Sequence, residues 1–236
     1  MIDFHSHILP CMDDGSASVQ ESVALLSLLR EQGVTRVFLT PHFDPMRDTP
    51  ASFLTRRGAS LERLSPFLSD AHPSVSLGAE VVYFPGISRM EALSELRLAG
   101  TRLLLLEMPM CPWSESTVRE LMELARVDGI RVLLAHVERY LDLQSPAVIA
   151  ELLSLGILMQ VNASFFLRLR TRRRALRLLR SGHVHLLGSD THNLSSRPPR
   201  IADAISVIER RLGKEHVERL RLRGESLLDD FDQNCK

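Results

Sequence analysis

Short apolar runs alternate with longer segments of helical spacing along the whole chain. Residues 2–5 read as a strand. Over 19–32, Val19, Val23, Leu26 and Leu29 recur at helical spacing and stop at Gly33. A strand over 34–39 ends at Thr40-Pro41, residues 51–69 are mostly helical, and a strand over 75–81 carries Glu80 near its end. A short helix over 91–98 precedes the leucine strand 103–106, which ends at Glu107. Next come a helix over 115–126, a strand over 130–135 ending at His136, a helix over 146–155, and a strand over 157–161 ending at Asn162. A helix over 171–180 leads to a strand over 184–187, followed by Gly188-Ser189-Asp190. Helices over 199–212 and 215–222 close the pattern, and the polar tail 229–236 is expected to fray. Seven strands interleaved with helices predict a mainly parallel sheet. The polar residues stand just after the strands, where α/β barrels build their sites.

Length adds that residues 1–236 form one domain, long enough to bury a core. The 29 basic and 29 acidic residues cancel, which argues against bulk attraction to nucleic acid or to a membrane surface. No apolar run approaches the roughly 18 residues of a membrane span, so stable membrane insertion is not expected. Asp3, His5, His7, Asp13 and Asp14 fall where the apolar region of a signal peptide would lie. Three cysteines without C-x-x-C suit a reducing compartment, and the cytoplasm is the expected location.

The chemistry starts at His5 and His7. Side chains alternate along a strand, so these two imidazoles share a face and can chelate one ion. They open a series of five histidines (His5, His7, His42, His136, His192) and four carboxylates (Asp14, Glu80, Glu107, Asp190). Nine nitrogen and oxygen ligands are too many for one ion; with a bridging carboxylate they suit two or three. Imidazole mixed with carboxylate, without thiolate, favours Mn, Fe or Zn over a structural zinc site. Three divalent ions against four carboxylates leave a net charge of about +2, which suits hydrolysis of an anionic ester. Cysteine-dependent phosphate chemistry needs C-x5-R, which is absent, as is a G-x-x-x-x-G-K-[ST] loop. Asp3 reads as a structural carboxylate beside His5. His72, His183, His185 and His216 read as structural or surface residues. Trp113 and Phe43 either line the mouth of the site or pack its loops. The basic run 168–180 has leucines at helical spacing (Leu167, Leu169, Leu176, Leu179) and reads as a solvated helix face.

Several strings carry a family resemblance. They are M-I-D-F-H-S-H-I-L-P with D-D-G, T-P-H at 40–42, G-A-E at 78–80, L-L-E-M at 105–108, A-H-V-E-R-Y at 135–140, Q-V-N-A-S at 160–164 and S-D-T-H-N-L-S-S-R-P-P at 189–199. In this order, over nearly the whole chain, they resemble the PHP (polymerase and histidinol phosphatase) domain. More narrowly they resemble the bacterial CpsB/YwqE group of manganese-dependent protein-tyrosine phosphatases of capsule and exopolysaccharide operons. The resemblance implies a distorted (β/α)7 barrel. It also implies that His5, His7, Glu80 and Asp190 hold a first Mn2+, that Glu80 bridges to a second held with Glu107 and His136, and that Asp14, His42 and His192 hold a third. Asp14 is preferred to Asp13 on this ground. A bridging hydroxide would attack phosphorus in line while Arg139 and Arg197 grip the phosphate oxygens. The leaving phenolate, with a pKa of about 10, needs less acid assistance than an alkoxide. Glu138 adjoins the site without an assigned role. The implied partner is a phosphotyrosine-bearing protein: the C-terminal tail of an autophosphorylating bacterial tyrosine kinase, which the basic run 168–180 is also placed to contact. Oligomeric state is left open. Residues 43–50 and the C-terminus depart from the group's usual text. The alternatives are a small-molecule phosphomonoesterase such as a histidinol-phosphate phosphatase, and a non-catalytic regulatory binding protein.

Overall fold

The computed structural model describes the backbone of residues 1–234 and the side chains of residues 1–228. Its strands are β1 (Ile2–Asp3), β2 (Arg36–Leu39), β3 (His42–Phe43), β4 (Ser74–Leu77), β5 (Glu80–Val82), β6 (Leu103–Glu107), β7 (Arg131–Leu134), β8 (Leu158–Asn162) and β9 (Leu186–Gly188). Helices α1 (Val19–Glu31), α2 (Pro50–Leu64), α3 (Leu93–Leu96), α4 (Glu115–Leu124), α5 (Pro146–Ser154), α6 (Leu169–Arg180) and α7 (Ile201–Leu212) alternate with them, and α8 (Lys214–Asn234) follows. Side-chain caps set several of the helix starts: Ser18, Thr49, Ser114 and Ser145 each accept a backbone N–H from the first turn.

Every strand pair is parallel. β1 pairs with β2 and β2 with β4; a second run goes β3–β5–β6–β7–β8–β9. The last strand returns beside the first. Phe4 N donates to Leu187 O at 3.3 Å, Asp190 N to His5 O at 2.9 Å and His7 N to Thr191 O at 2.9 Å. The sheet is thus a barrel of seven staves, as the resemblance implies, with two staves broken. The strand expected over 34–39 resumes as β3 after Thr40-Pro41, where proline offers no N–H to the ladder. The strand expected over 75–81 is two strands, separated by Gly78-Ala79. Buried Arg57 takes the Gly78 carbonyl out of the ladder at 2.8 Å. A Cβ at Gly78 would stand 2.5 Å from a Leu98 methyl, so a larger residue there would have to displace that side chain.

Alternate strand positions feed two cores. Leu104, Leu106, Val132, Leu134, Met159 and Val161 pack outward against the helices. Ile2, Phe4, Phe38, Leu103, Leu105, Leu133, Leu158 and Leu186 fill the barrel's lower interior. Burying each such side chain is worth about 1.5–3 kcal/mol. Leu227 of α8 joins this inner plug, which explains why α8 runs far beyond the expected 215–222. The tail expected to fray from residue 229 is helical through Asn234, and residues 235–236 lie outside the described residues. Helix α6 starts at Leu169, two residues early, and leaves that leucine 81% exposed.

Candidate metal centre

The inward positions that form the apolar plug continue upward as polar residues. On the β2–β3 stave they run Phe38, Thr40, His42; on β6, Leu103, Leu105, Glu107; on β8, Leu158, Gln160, Asn162; beyond β9, Leu186, Gly188, Asp190. Burial of every second residue, carried past the plug, therefore delivers a ring of donors to the C-terminal end of the barrel. His136 is an exception. Leu133 and Ala135 already face inward, so a regular strand would send His136 out. Its backbone is left-handed instead (φ 31°), and the ring lies 2.8 Å from Glu80. Asp190 is also left-handed (φ 52°). Such conformations are costly outside glycine, and two of them stand at candidate ligands.

All nine predicted donors come together. Glu80 is the centre of the set: its Oε2 lies 3.0 Å from His5 Nε2, 3.1 Å from His7 Nε2 and 3.1 Å from His42 Nε2. Its Oε1 faces His136 Nε2 at 2.8 Å, and Glu107 Oε1 lies 3.2 Å from the same nitrogen. Asp190 Oδ1 is 3.6 Å from both His5 and His7. Asp14, 66% exposed, closes the outer side, with Oδ1 3.4 Å from both His42 Nδ1 and His192 Nε2. The two Nε2 atoms of His5 and His7 are 3.0 Å apart. Donors bound to one ion at about 2.0–2.2 Å stand roughly 3–3.5 Å from each other, so the spacings around Glu80 fit divalent cations, while His42 meets Asp14 through the Nδ1 that also faces Asp13.

The outer hydrogen bonds fit as well. Nδ1 of His5 donates to Gln160 Oε1 (3.1 Å), Nδ1 of His7 and of His42 to Asp13 Oδ2 (2.7 and 3.1 Å), and Nδ1 of His192 to the Asp190 carbonyl (3.0 Å). Four imidazoles therefore aim a lone pair on Nε2 into the cluster. The buried Nε2 of His192 has no hydrogen-bond partner, as expected of a group kept for another ligand; Nδ1 of His136, the nitrogen that does not face Glu80, has none either.

Asp13 is placed to orient two imidazoles. Its carboxylate, nearly buried, also accepts the His42 backbone N–H at 2.8 Å and that of Gly15 at 3.0 Å. A Cβ on Gly15 would strike the His7 carbonyl at 2.2 Å, which is why D-D-G ends in glycine. Asp13→Asn is expected to lower metal affinity about 10–100-fold with the fold intact, measured by titration calorimetry. An unchanged affinity would show that Asp13 does not set the two rings. Asp3 behaves as expected of a structural carboxylate: it accepts N–H groups from His5 (3.2 Å) and Ser189 (2.8 Å), tying the first stave to the last.

Arg139 and Arg197 both reach Asp190 Oδ2, at 2.8 and 2.7 Å, and Asn162 Nδ2 donates to the same oxygen at 2.7 Å. Asp190 thus turns one oxygen to the histidines and the other to the arginines. The two arginine side chains, 32% and 37% exposed, edge a cavity of about 520 Å3 that Glu138, Asn162, Phe165 and Leu167 also line. Residue types alone assigned no role to Gln160 or Asn162. Gln160 accepts from His5 and from the His136 N–H (2.8 Å) and donates to Asn162 (2.9 Å), making an amide relay beneath the ligands. The only sequence signal was a polar pair at inward positions of an otherwise apolar strand. Phe43 is fully buried against Phe53, and Trp113 packs on Tyr140, so both serve packing and neither lines this cavity.

The carboxylates dominate the local field. Burial disfavours charge on His7, but its bonds to Asp13 and Glu80 hold its pKa up to about 10. Burial likewise opposes charge on His136, which Glu107 and Glu80 raise to about 9. His192 falls to about 4 through burial and the neighbouring His7. Burial lifts Glu138 to about 7. A cation among these donors competes with the imidazole protons, so its binding releases them and tightens as pH rises.

Comparison with known proteins points one way. The sequence profile of the CpsB/CapC family, described as capsular polysaccharide synthesis, matches residues 1–228. Tyrosine-protein phosphatase CpsB of Streptococcus agalactiae serotype III is 29% identical over 232 residues, covering 93% of this chain and 94% of its own. Tyrosine-protein phosphatase YwqE of Bacillus subtilis is 26% identical over 235 residues, covering 97% and 91%. A solved structure from work on YwqE of Bacillus subtilis and CpsB of Streptococcus pneumoniae, described as unique metal-dependent tyrosine phosphatases, superposes with a TM-score of 0.82 at 25% identity, over 97% of this chain and 94% of that one. The phosphotriesterase homology protein of Escherichia coli shares the fold alone, with a TM-score of 0.56 at 12% identity over 96% and 98%.

Proposed function

The chain belongs to the CpsB/CapC family of capsular polysaccharide synthesis, and from that premise we propose that it is a metal-dependent protein-tyrosine phosphatase. The observation that carries this reading is Glu80, whose two oxygens face separate donor sets, with two arginines converging beside them on Asp190. His5, His7, Glu80 and Asp190 would hold one ion, Glu80 with Glu107 and His136 a second, and Asp14, His42 and His192 a third. When bound, such ions lower the pKa of water and neutralise phosphate charge.

The chain's own residues supply the rest. Asp13, Gln160 and the Asp190 carbonyl hold the imidazoles in the tautomer that presents Nε2. Arg139 and Arg197 offer planar forks to the non-bridging phosphate oxygens, where charge grows in the transition state. Phe165 and Leu167 give the cavity an apolar wall for the aryl ring.

Manganese is the metal we assign, on the family resemblance; imidazole and carboxylate donors without thiolate accommodate it and also suit iron or zinc. The substrate we assign is the phosphorylated C-terminal tail of a bacterial tyrosine kinase that governs polysaccharide export; an open cavity beside the arginines suits the entry of a flexible chain end. The cytoplasm is the compartment we assign, since exposed unpaired Cys11 and Cys111 suit a reducing environment.

The test is phosphate release from a phosphotyrosyl peptide by protein stripped with chelator and refilled with Mn2+. A phosphoseryl peptide and histidinol phosphate are run alongside. Activity restored by Mn2+ and confined to the aryl phosphate is the expected result. Turnover of histidinol phosphate alone would move the function to small-molecule hydrolysis, and no turnover at all would leave a binding role.

A further inference from the structure

A groove between α6 and α7 leads away from the metal centre. It begins in the cavity of about 520 Å3 beside Asp190, Arg139 and Arg197, whose outer wall is Leu167, Arg168 and Arg200. It continues as a hollow of about 550 Å3 over Leu167, Arg172, Arg200, Val207 and Arg210. It ends in one of about 260 Å3 between Arg172, Val207, Arg210 and Arg211. Shared lining residues join each hollow to the next, so the three form one path.

The path is positive although the whole chain is neutral. Residues 163–189 contain no aspartate or glutamate. Beyond the first cavity, which Glu138 and Asp190 also line, the two acids in the groove wall are already engaged, Asp203 by Arg200 and Glu209 by Lys214. Among the described residues Arg168, Arg210 and Arg211 have no acidic partner. Arg172 is held in place by the carbonyls of Phe166 and Leu167, at 3.1 and 2.7 Å. The helices present this face from a rigid base, since Ala175, Leu179, Ala204 and Ile208 are buried beneath it. A concave row of like charge concentrates potential and attracts the opposite charge.

We propose that this groove binds acidic side chains of the phosphotyrosyl polypeptide on one flank of the modified tyrosine, and so selects substrates with Asp or Glu there. The proposal rests on the phosphatase reading above and names the sequence class of its substrate. The groove favours a polypeptide over a nucleic acid because it opens directly from the proposed phosphate subsite, so the same chain that presents the phosphotyrosine enters it. At about 1.5 Å per residue, α7 spans roughly 15 Å from Arg200 to Arg210, matching four or five extended residues at about 3.3 Å each.

The test uses the Mn2+-loaded full chain and compares kcat/KM for four substrates. These are free phosphotyrosine and peptides with four glutamates before the phosphotyrosine, four after it, or four glutamines on both sides. One glutamate peptide is expected to exceed the glutamine peptide about tenfold or more at low salt, mainly through KM. Its advantage should shrink toward unity at about 0.5 M salt. The double variant Arg210→Glu/Arg211→Glu should invert the preference when each peptide is referred to free phosphotyrosine in the same preparation. Equal values for all peptides, with free phosphotyrosine turned over, would overturn the groove and leave the phosphatase standing. No turnover even of free phosphotyrosine would overturn the reading beneath it as well. Equal peptide values together with duplex oligonucleotide binding that the double variant loses would overturn the proposal in favour of nucleic acid.

Discussion

Glu80→Gln is expected to cut kcat/KM on a phosphotyrosyl peptide by about 10³-fold or more and to reduce bound metal. The side chain is 1% exposed and touches His5, His7, His42 and His136. Burial alone would push its pKa up, yet the surrounding histidines hold it well below the usual carboxylate range, so it carries full negative charge. Glutamine keeps the shape, removes the charge, and offers one oxygen where the site uses two. Metal content by mass spectrometry, read beside the kinetics, locates the loss. A variant that retained metal and stayed within tenfold of the parent would remove Glu80 from the shared position and break the proposed cluster in two.

Arg139→Ala and Arg197→Ala are each expected to lower kcat/KM by about 10²–10³-fold with metal content unchanged. Lysine at either position should recover only part of the loss, because a point charge does not replace a planar fork. Metal content is the deciding readout. Both arginines also hold Asp190, which is itself a candidate ligand. If metal falls in step with activity, they act by fixing that carboxylate; if it does not, they act on the phosphate.

Much of the site was legible because a strand has a period of two. Once Phe38, Leu103, Leu158 and Leu186 are placed inward, His42, Glu107, Asn162 and Asp190 must follow on the same face. His136 was found for a different reason: it ends an apolar run, and the left-handed turn that brings it inward leaves no mark on hydrophobic periodicity. The stop at Thr40-Pro41 was legible from the proline, but not the resumption as β3; the break at Gly78-Ala79 was hidden because the apolar pattern runs through it, while Arg57 reaching the Gly78 carbonyl is a contact 21 residues distant. Asp13 and Asp14 could not be told apart by type. Their difference is purely one of place: Asp13 turns beneath two rings while Asp14 stays exposed at the rim. The length of α8 was missed because what keeps it helical is the barrel floor that Leu227 covers, not its own composition.

The barrel closes at the junction of β9 and β1 with only a few backbone bonds, and the proposed ligands are spread over staves on both sides of that junction. Ions held there would act as a hoop at the mouth of the cask, drawing the staves together where the ladder is thinnest. Tightening the hoop and keeping the cask shut are one equilibrium, deepened by RT ln(1 + [M]/Kd) for each independently bound ion. Metal removal would then lower the unfolding temperature as well as the activity.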